Sequence, residues 1–369
     1  MFFRKRTYIS SGSLSALAWK KFKKNKLGMG SLLFLCFTSL LALLGYLITP
    51  DKTPFVNEQH LELGLKKPGF SVTMLKIRTG QEFPSNNFIS KMIRGDKSGF
   101  TRIPVQSFRQ EGNIILFQDY SAPPMPDAPW NKISKKNLVN IEKRTFWLGT
   151  DRFGRDYLSQ LIIGTRISLS VGFISVFISL ILGILVGAIG GYYRGWIDHI
   201  LLWFINVVWS IPTLLLVIAI TFALGKGFWQ VFVAVGLTMW VEVARVVRGQ
   251  VMGIREKEFV EAGRALGFSD FRIIFYHILP NVMAAVIVIS ASNFASAILM
   301  EAGLSFLGLG VQPPVPSWGA MIKENYGYIV LDYAYLAILP GLAIMFLVLA
   351  FMLIGNALRD ALDVRSSEF

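Results

Sequence analysis

The stretch LGMGSLLFLCFTSLLALLGYLIT, Leu27 to Thr49, carries no charged side chain. As a helix it is long enough to cross a hydrocarbon layer of about 30 Å, which takes about 20 residues. Its N-terminal flank is the opposite in character: Arg4, Lys5, Arg6, Lys20, Lys21, Lys23, Lys24 and Lys26 stand there with no carboxylate. A basic flank before an apolar run also describes a secretory leader, but 27–49 exceeds the about 7 to 15 apolar residues of a leader core, and no small-x-small cleavage site follows cleanly. The segment reads as a retained anchor whose basic side stays in the cytoplasm by the positive-inside bias. Cys36, the only cysteine, lies inside it, which excludes an internal disulfide and a cysteine metal cluster.

Outward from this anchor the same signal recurs at Ile167 to Tyr193, Ile200 to Leu224, Phe228 to about Val247, Val282 to Met300 and Tyr333 to Leu358. A chain that is 53% hydrophobic with a mean hydropathy of +0.51 is too apolar for a soluble domain, so a membrane is its solvent. The net charge of +14 sits largely beside the spans, which argues for topology and against nucleic acid. The expected fold is an all-α membrane protein with six transmembrane helices. The fourth span is interrupted by Glu242 and Arg245, whose i, i+3 spacing lets them pair as the helix leaves the membrane.

Six crossings put both termini on the cytoplasmic face and divide the chain into a basic tail (1–26), the first span (27–49), an extracytoplasmic inserted domain (50–144) and a core (145–369) with a cytoplasmic loop at about 248–281. The insertion shows strand-like runs at Phe70 to Ile77, Phe100 to Val105 and Asn113 to Phe117. Its Ser121 to Trp130 run, with Pro123, Pro124, Pro126 and Pro129, is expected to be extended.

The inner loop holds the densest pattern. Phe259, Ala262, Gly263 and Leu266 share one face of a short helix, Gly267 suits its C-terminal cap, and Ser269 and Asp270 restart a helix with the stripe Phe271, Ile274, Phe275 and Ile278. Pro280 then disfavours helical geometry at Leu279. Periodicity alone would equally allow two amphipathic helices lying on the membrane. The residue pattern, Glu261-Ala262-Gly263, three residues, Gly267, then His277-Ile278-Leu279-Pro280-Asn281, resembles the EAA loop of ABC-importer permeases. It departs from that pattern at Gly263, where alanine is general, and at His277, where isoleucine is frequent. Three further strings, Trp147 to Asp156, Gly164 to Leu169, and Leu304 to Gly310 continuing to Ser317-Trp318-Gly319, resemble signatures of dipeptide, oligopeptide and nickel permeases.

The resemblance implies a type I importer permease without catalytic residues. It implies a homologous second permease, two ATPase subunits and an extracytoplasmic solute-binding protein as partners in a bacterial inner membrane, with ATP and Mg bound by the ATPase and no cofactor or metal on this chain. It places Phe259, Glu261, Ala262, Gly263, Leu266, Gly267, Leu279 and Pro280 at the ATPase-coupling surface. Asn206, Ser210, Asn293 and Ser296 lie within spans and could line the solute path or bond between helices, while Glu301, ending the fifth span near the outer face, reads as an interfacial hydrogen-bonding residue. Peptides are the expected solute; nickel or another small solute is the alternative within the family. A stand-alone channel or secondary transporter is the alternative outside it, disfavoured because ion-coupled carriers need midplane carboxylates, which these spans are expected to lack.

Overall fold

The computed structural model describes residues 14–78, 87–96, 99–120, 129–225 and 227–362. Arg4, Lys5 and Arg6 of the tail, and Pro123, Pro124 and Pro126 of the proline-rich run, lie outside them.

The tail is more than a flank. Leu14–Lys24 forms helix α1, anchored by Phe22, which is buried against Ala357 and Ala361. Asn25 then starts α2 (Lys26–Ile48), its side-chain oxygen accepting from the Gly28 N–H at 2.9 Å. The inserted segment follows: β1 (Phe70–Arg78), α3 (Phe88–Arg94), β2 (Phe100–Glu111), β3 (Ile114–Asp119), β4 (Asn131–Ser134) and β5 (Leu138–Phe146). All pairings are antiparallel, in the order β4-β3-β2-β1-β5, around Leu75, Ile77, Val105, Ile115 and Phe117. The unforeseen β4 and β5 are the two edges; edge strands bury little, so their apolar alternation is thin.

Helix α4 (Tyr157–Tyr193) starts well before the expected Ile167, because its polar first turns pack on the inserted segment instead of lipid. Arg166, in this extension, donates to the Ile93 carbonyl of α3 at 2.9 Å. The expected third span is two helices, α5 (Gly195–Ser210) and α6 (Thr213–Leu224), bent by 92°. Pro212 accounts for the break: it has no N–H to continue the ladder and holds Ile211 extended, at φ −86° and ψ 127°. Helix α7 (Phe228–Arg255) runs back unbroken. A side chain at Gly183, Gly187 or Gly191 of α4 would collide with Val243, Ala244 or Arg248 of α7, so this i, i+4 glycine row lets the two backbones close together.

The chain then forms α8 (Glu258–Ala265), α9 (Asp270–Arg272), a π-helical turn (Ile273–Ile278), α10 (Leu279–Phe306), α11 (Trp318–Asn325) and α12 (Tyr335–Leu362). The expected break at Leu279 is absent: that residue is helical at φ −56° and ψ −40°. Pro280 falls in the first turn of α10, and the preceding turn widens so that the Leu279 N–H reaches the Ile274 carbonyl, while the Asn281 side chain donates to the His277 carbonyl at 2.7 Å. Among the described residues five helices are long and apolar enough to span a membrane, and the bent α5–α6 pair makes a sixth crossing if counted as one. The bundle has a sheet end and a loop end; Gln250, Asn281, Arg359 and Leu362 meet at the latter.

Candidate coupling helix and solute path

At the loop end, α8 is fixed from beneath and bare above. Val260 and Gly263 are buried, Val260 in a cluster with Val251, Ile254, Ile273 and Ile278. Gly263 therefore faces its own loop, not the outward face expected for it, and a Cβ there would lie 3.4 Å from the Phe268 ring. Phe259, Ala262 and Leu266 are left exposed, Leu266 at 72%. The second stripe also splits: Ile274 and Ile278 turn inward, whereas Phe271 and Phe275 stay exposed with ring centroids 4.3 Å apart. Glu261 and Pro280 are exposed, and Leu279 is half-buried against the same cluster as Val260.

The turn after α8 closes with paired bonds, Gly267 N–H to the Arg264 carbonyl at 2.9 Å and Phe268 N–H to the Gly263 carbonyl at 3.1 Å. This Schellman arrangement needs a left-handed residue, and Gly267 supplies φ +76° with open space around it. Gly267→Val should cost about 1 to 2 kcal/mol from backbone strain alone. Thermal unfolding compared with Gly267→Asn, a residue that tolerates this geometry, checks it; equal loss in both would place the cost elsewhere. The loop is also tied to the bundle, since the Tyr192 hydroxyl at the end of α4 donates to Asp270 Oδ1 at 2.6 Å. Through this bond and the cluster around Val260, the loop packs against α4, α7 and α10 together.

Between α7 and α10 a seam runs along the bundle. Near its middle is a cleft of about 150 Å³ at the α5–α6 break, bordered by Trp209, Thr213, Thr238, Glu242 and Ser296. A separate groove of about 820 Å³ toward the loop end, between α7, α10 and α12, has Gln250, Asn281, Ser292, Asn356 and Arg359 on its walls. Glu242 and Gln250 are two helical turns apart on one face of α7.

The sequence-derived polar residues divide between this seam and the interior. Ser296 is in the cleft. Asn206 is exposed on α5 and accepts from Arg245 at 2.8 Å; Ser210 donates to the Val207 carbonyl of its own helix. Arg245 also stacks 3.8 Å from the Trp209 ring centroid, so its expected pairing with Glu242 is not formed: α5, lying beside α7, offers it Asn206 and Trp209 instead. Asn293 is buried, with both side-chain polar atoms lacking a protein partner. Glu301 lies in the last two turns of α10. It is 0% exposed in the helix packing, accepting from Ser305 at 2.6 Å, with its other oxygen unpaired.

At the sheet end, Trp147 to Asp156 forms a latch that sequence reasoning left without a physical role. Asp151, 1% exposed, accepts from the backbone N–H groups of Phe153 and Arg155, from Arg155 Nε at 2.6 Å and from Gln160 at 3.1 Å. Arg155 reaches on to Glu324 of α11 at 2.6 Å. Thr150 accepts from the Lys66 N–H and donates to the Leu63 carbonyl. A Cβ on Gly154 would run into the His60 carbonyl. The Asp-x3-Arg spacing in a turn was the available signal, but both partners across the turn are remote in sequence. Beside the latch, Glu58 joins Arg102 and Arg144. Burial would raise the Glu58 carboxyl, but His60, Arg144 and Arg102 outweigh it and hold it well below the usual range. Burial, with Glu58 adding to it, pushes the neighbouring Asp51 carboxyl up.

The family described as binding-protein-dependent transport system inner membrane component matches residues 179–368, and one described as the N-terminal TM domain of oligopeptide transport permease C matches residues 13–68. A glutathione transport system permease protein of Pectobacterium atrosepticum is 42% identical over 239 residues, covering 65% of this chain and 79% of that protein. A dipeptide transport system permease protein of Alkalihalophilus pseudofirmus is 39% identical over 242 residues, covering 66% and 79%. Among solved structures, a chain of the inward-facing MetNI methionine ABC transporter aligns with 55% of this chain and 96% of its own length, at 19% identity and a TM-score of 0.47.

Proposed function

The chain belongs to the family of binding-protein-dependent transport system inner membrane components, and from that premise we propose that it is the permease subunit of an ATP-driven importer of peptides. The single observation that carries the coupling role is the bare apolar face of Phe259, Ala262 and Leu266 on a helix whose other side is firmly packed. Such a face at the polar end of a membrane bundle needs a protein partner, and in this reading the partner is a separate ATPase that binds the ATP and Mg. The chain itself performs no hydrolysis. A second, homologous permease covers the α7–α10 seam, and the solute path runs between the two. A solute-binding protein docks at the sheet end, where the inserted segment 50–144 forms its landing surface.

Orientation follows from charge. Lys20, Lys23, Lys24 and Lys26 lie at the same end as Arg248, Arg255, Lys257, Arg264 and Arg272, which supports cytoplasmic termini and a cytoplasmic loop end. In cells lacking the chain, its restoration should recover uptake of di- and oligopeptides and allow an ATPase to co-purify. Recovery of nickel uptake alone would move the solute assignment; growth and uptake indifferent to the chain would overturn the reading.

A further inference from the structure

Glu242 is the residue whose surroundings ask for a ligand. It lies fourteen residues into α7, about 21 Å below Phe228 at 1.5 Å per residue, and so inside a hydrocarbon layer of about 30 Å. It is exposed in this chain and forms no ion pair or hydrogen bond among the described residues. The cations near it on α7 are committed elsewhere: Arg245 to Asn206 and the Trp209 ring, Arg248 to both oxygens of Asp198 at 2.6 Å. A bare carboxylate at this depth does not face lipid; such groups face water-filled paths or opposite charges. What surrounds Glu242 is the 150 Å³ cleft, with the hydroxyls of Thr213, Thr238 and Ser296 and the indole of Trp209 at its border. The cleft is too small for a whole peptide and large enough for one of its ends.

We propose that Glu242 lines the solute path and grips the protonated amine of the passing solute, so that the chain favours peptides with a free N-terminus. A carboxylate flanked by hydroxyls matches an ammonium group, which offers three donors and a full charge. The proposal rests on the peptide-permease reading and adds which end of the solute this chain contacts. A lysine or arginine of the second permease is the competing occupant.

Two measurements on the transporter purified with its native partners in lipid bilayers test it. In a Cys36→Ser background, Ser296→Cys, on the border of the same cleft with Glu242 left intact, should react with a positively charged, membrane-impermeant thiol reagent, saturating dialanine should slow that reaction at least tenfold, and adding Glu242→Gln should abolish the protection. Labelling only by a membrane-permeant maleimide, or no protection by dialanine, overturns the proposal. In the parent background, Glu242→Gln should lower uptake of dialanine at least tenfold relative to N-acetyl-dialanine, while Glu242→Asp keeps most of the preference. The same binding protein serves every variant, so its own selectivity cancels. Equal loss for both solutes, an unchanged ratio, or loss of the second permease on purification overturns the amine contact. If the parent carries neither solute, the peptide reading fails with it, and protection by no peptide in the labelling assay identifies that case.

Discussion

Ala262→Trp should leave the chain folded and inserted, yet remove ATPase co-purification and solute uptake together. Ala262 is exposed on α8, while that helix is held from its other side by Val260 and capped at Gly267, so an indole there meets nothing within this chain. Overpacking a fitted interface costs about 1 to 3 kcal/mol, or about 5- to 150-fold in affinity. Arg264→Ala is the control. Arg264 is exposed and lies 5.3 Å from the Tyr192 ring centroid, a contact of about 0.5 to 1 kcal/mol, so its loss should change uptake less than about fivefold. A pull-down and an uptake assay on each variant decide the matter. Transport by Ala262→Trp at the parent's rate, with the ATPase still bound, would mean that α8 is not the docking helix.

Arg155→Ala should be the most destabilising single change at the sheet end. Arg155 is 6% exposed and bridges the buried Asp151 and the half-buried Glu324, so truncation leaves Asp151 without its only cationic partner among the described residues and Glu324 without this ion pair. Breaking a buried pair from one side costs about 3 to 5 kcal/mol. Arg155→Lys should recover only part of this, because one ammonium cannot reproduce the planar fork that serves both acids. The thermal midpoint of detergent-purified protein reads the effect. A midpoint within a degree of the parent's would show that Gln160 and the backbone N–H groups around Asp151 suffice, and the latch would lose its assigned role. The bond to Glu324 joins the start of α4 to α11, so the variant should also loosen the sheet end before the loop end. Hydrogen exchange localised to 148–160 and 318–325 would display that order.

The spans were legible because crossing lipid demands one property, about 20 uncharged residues in a row, and that property is local. The loop after α7 was legible for a related reason: its cap at Gly267, its restart at Ser269 and its family pattern lie within two dozen residues of chain. Where the reading failed, the deciding group was remote. Pro212 announces a kink in any helix, yet only packing sets a bend of 92°, and only the packing of α5 beside α7 shows that Arg245 meets Asn206 and Trp209 instead of Glu242. Pro280 announces a break, yet a π-turn absorbs it, because the hydrophobic cluster around Ile274 and Ile278 favours a continuous helix.

By itself, then, the sequence determined that the chain crosses a membrane several times, which segments are long and apolar enough to do so, and which loop carries a short capped helix, since each follows from the composition of a contiguous stretch. Tertiary structure decided which face of that helix is bare, that Gly263 turns inward, that Glu301 is sealed in the packing and that Glu242 opens on a cleft. A side chain's exposure depends on neighbours contributed by other helices, and one chain's local periodicity holds no record of them.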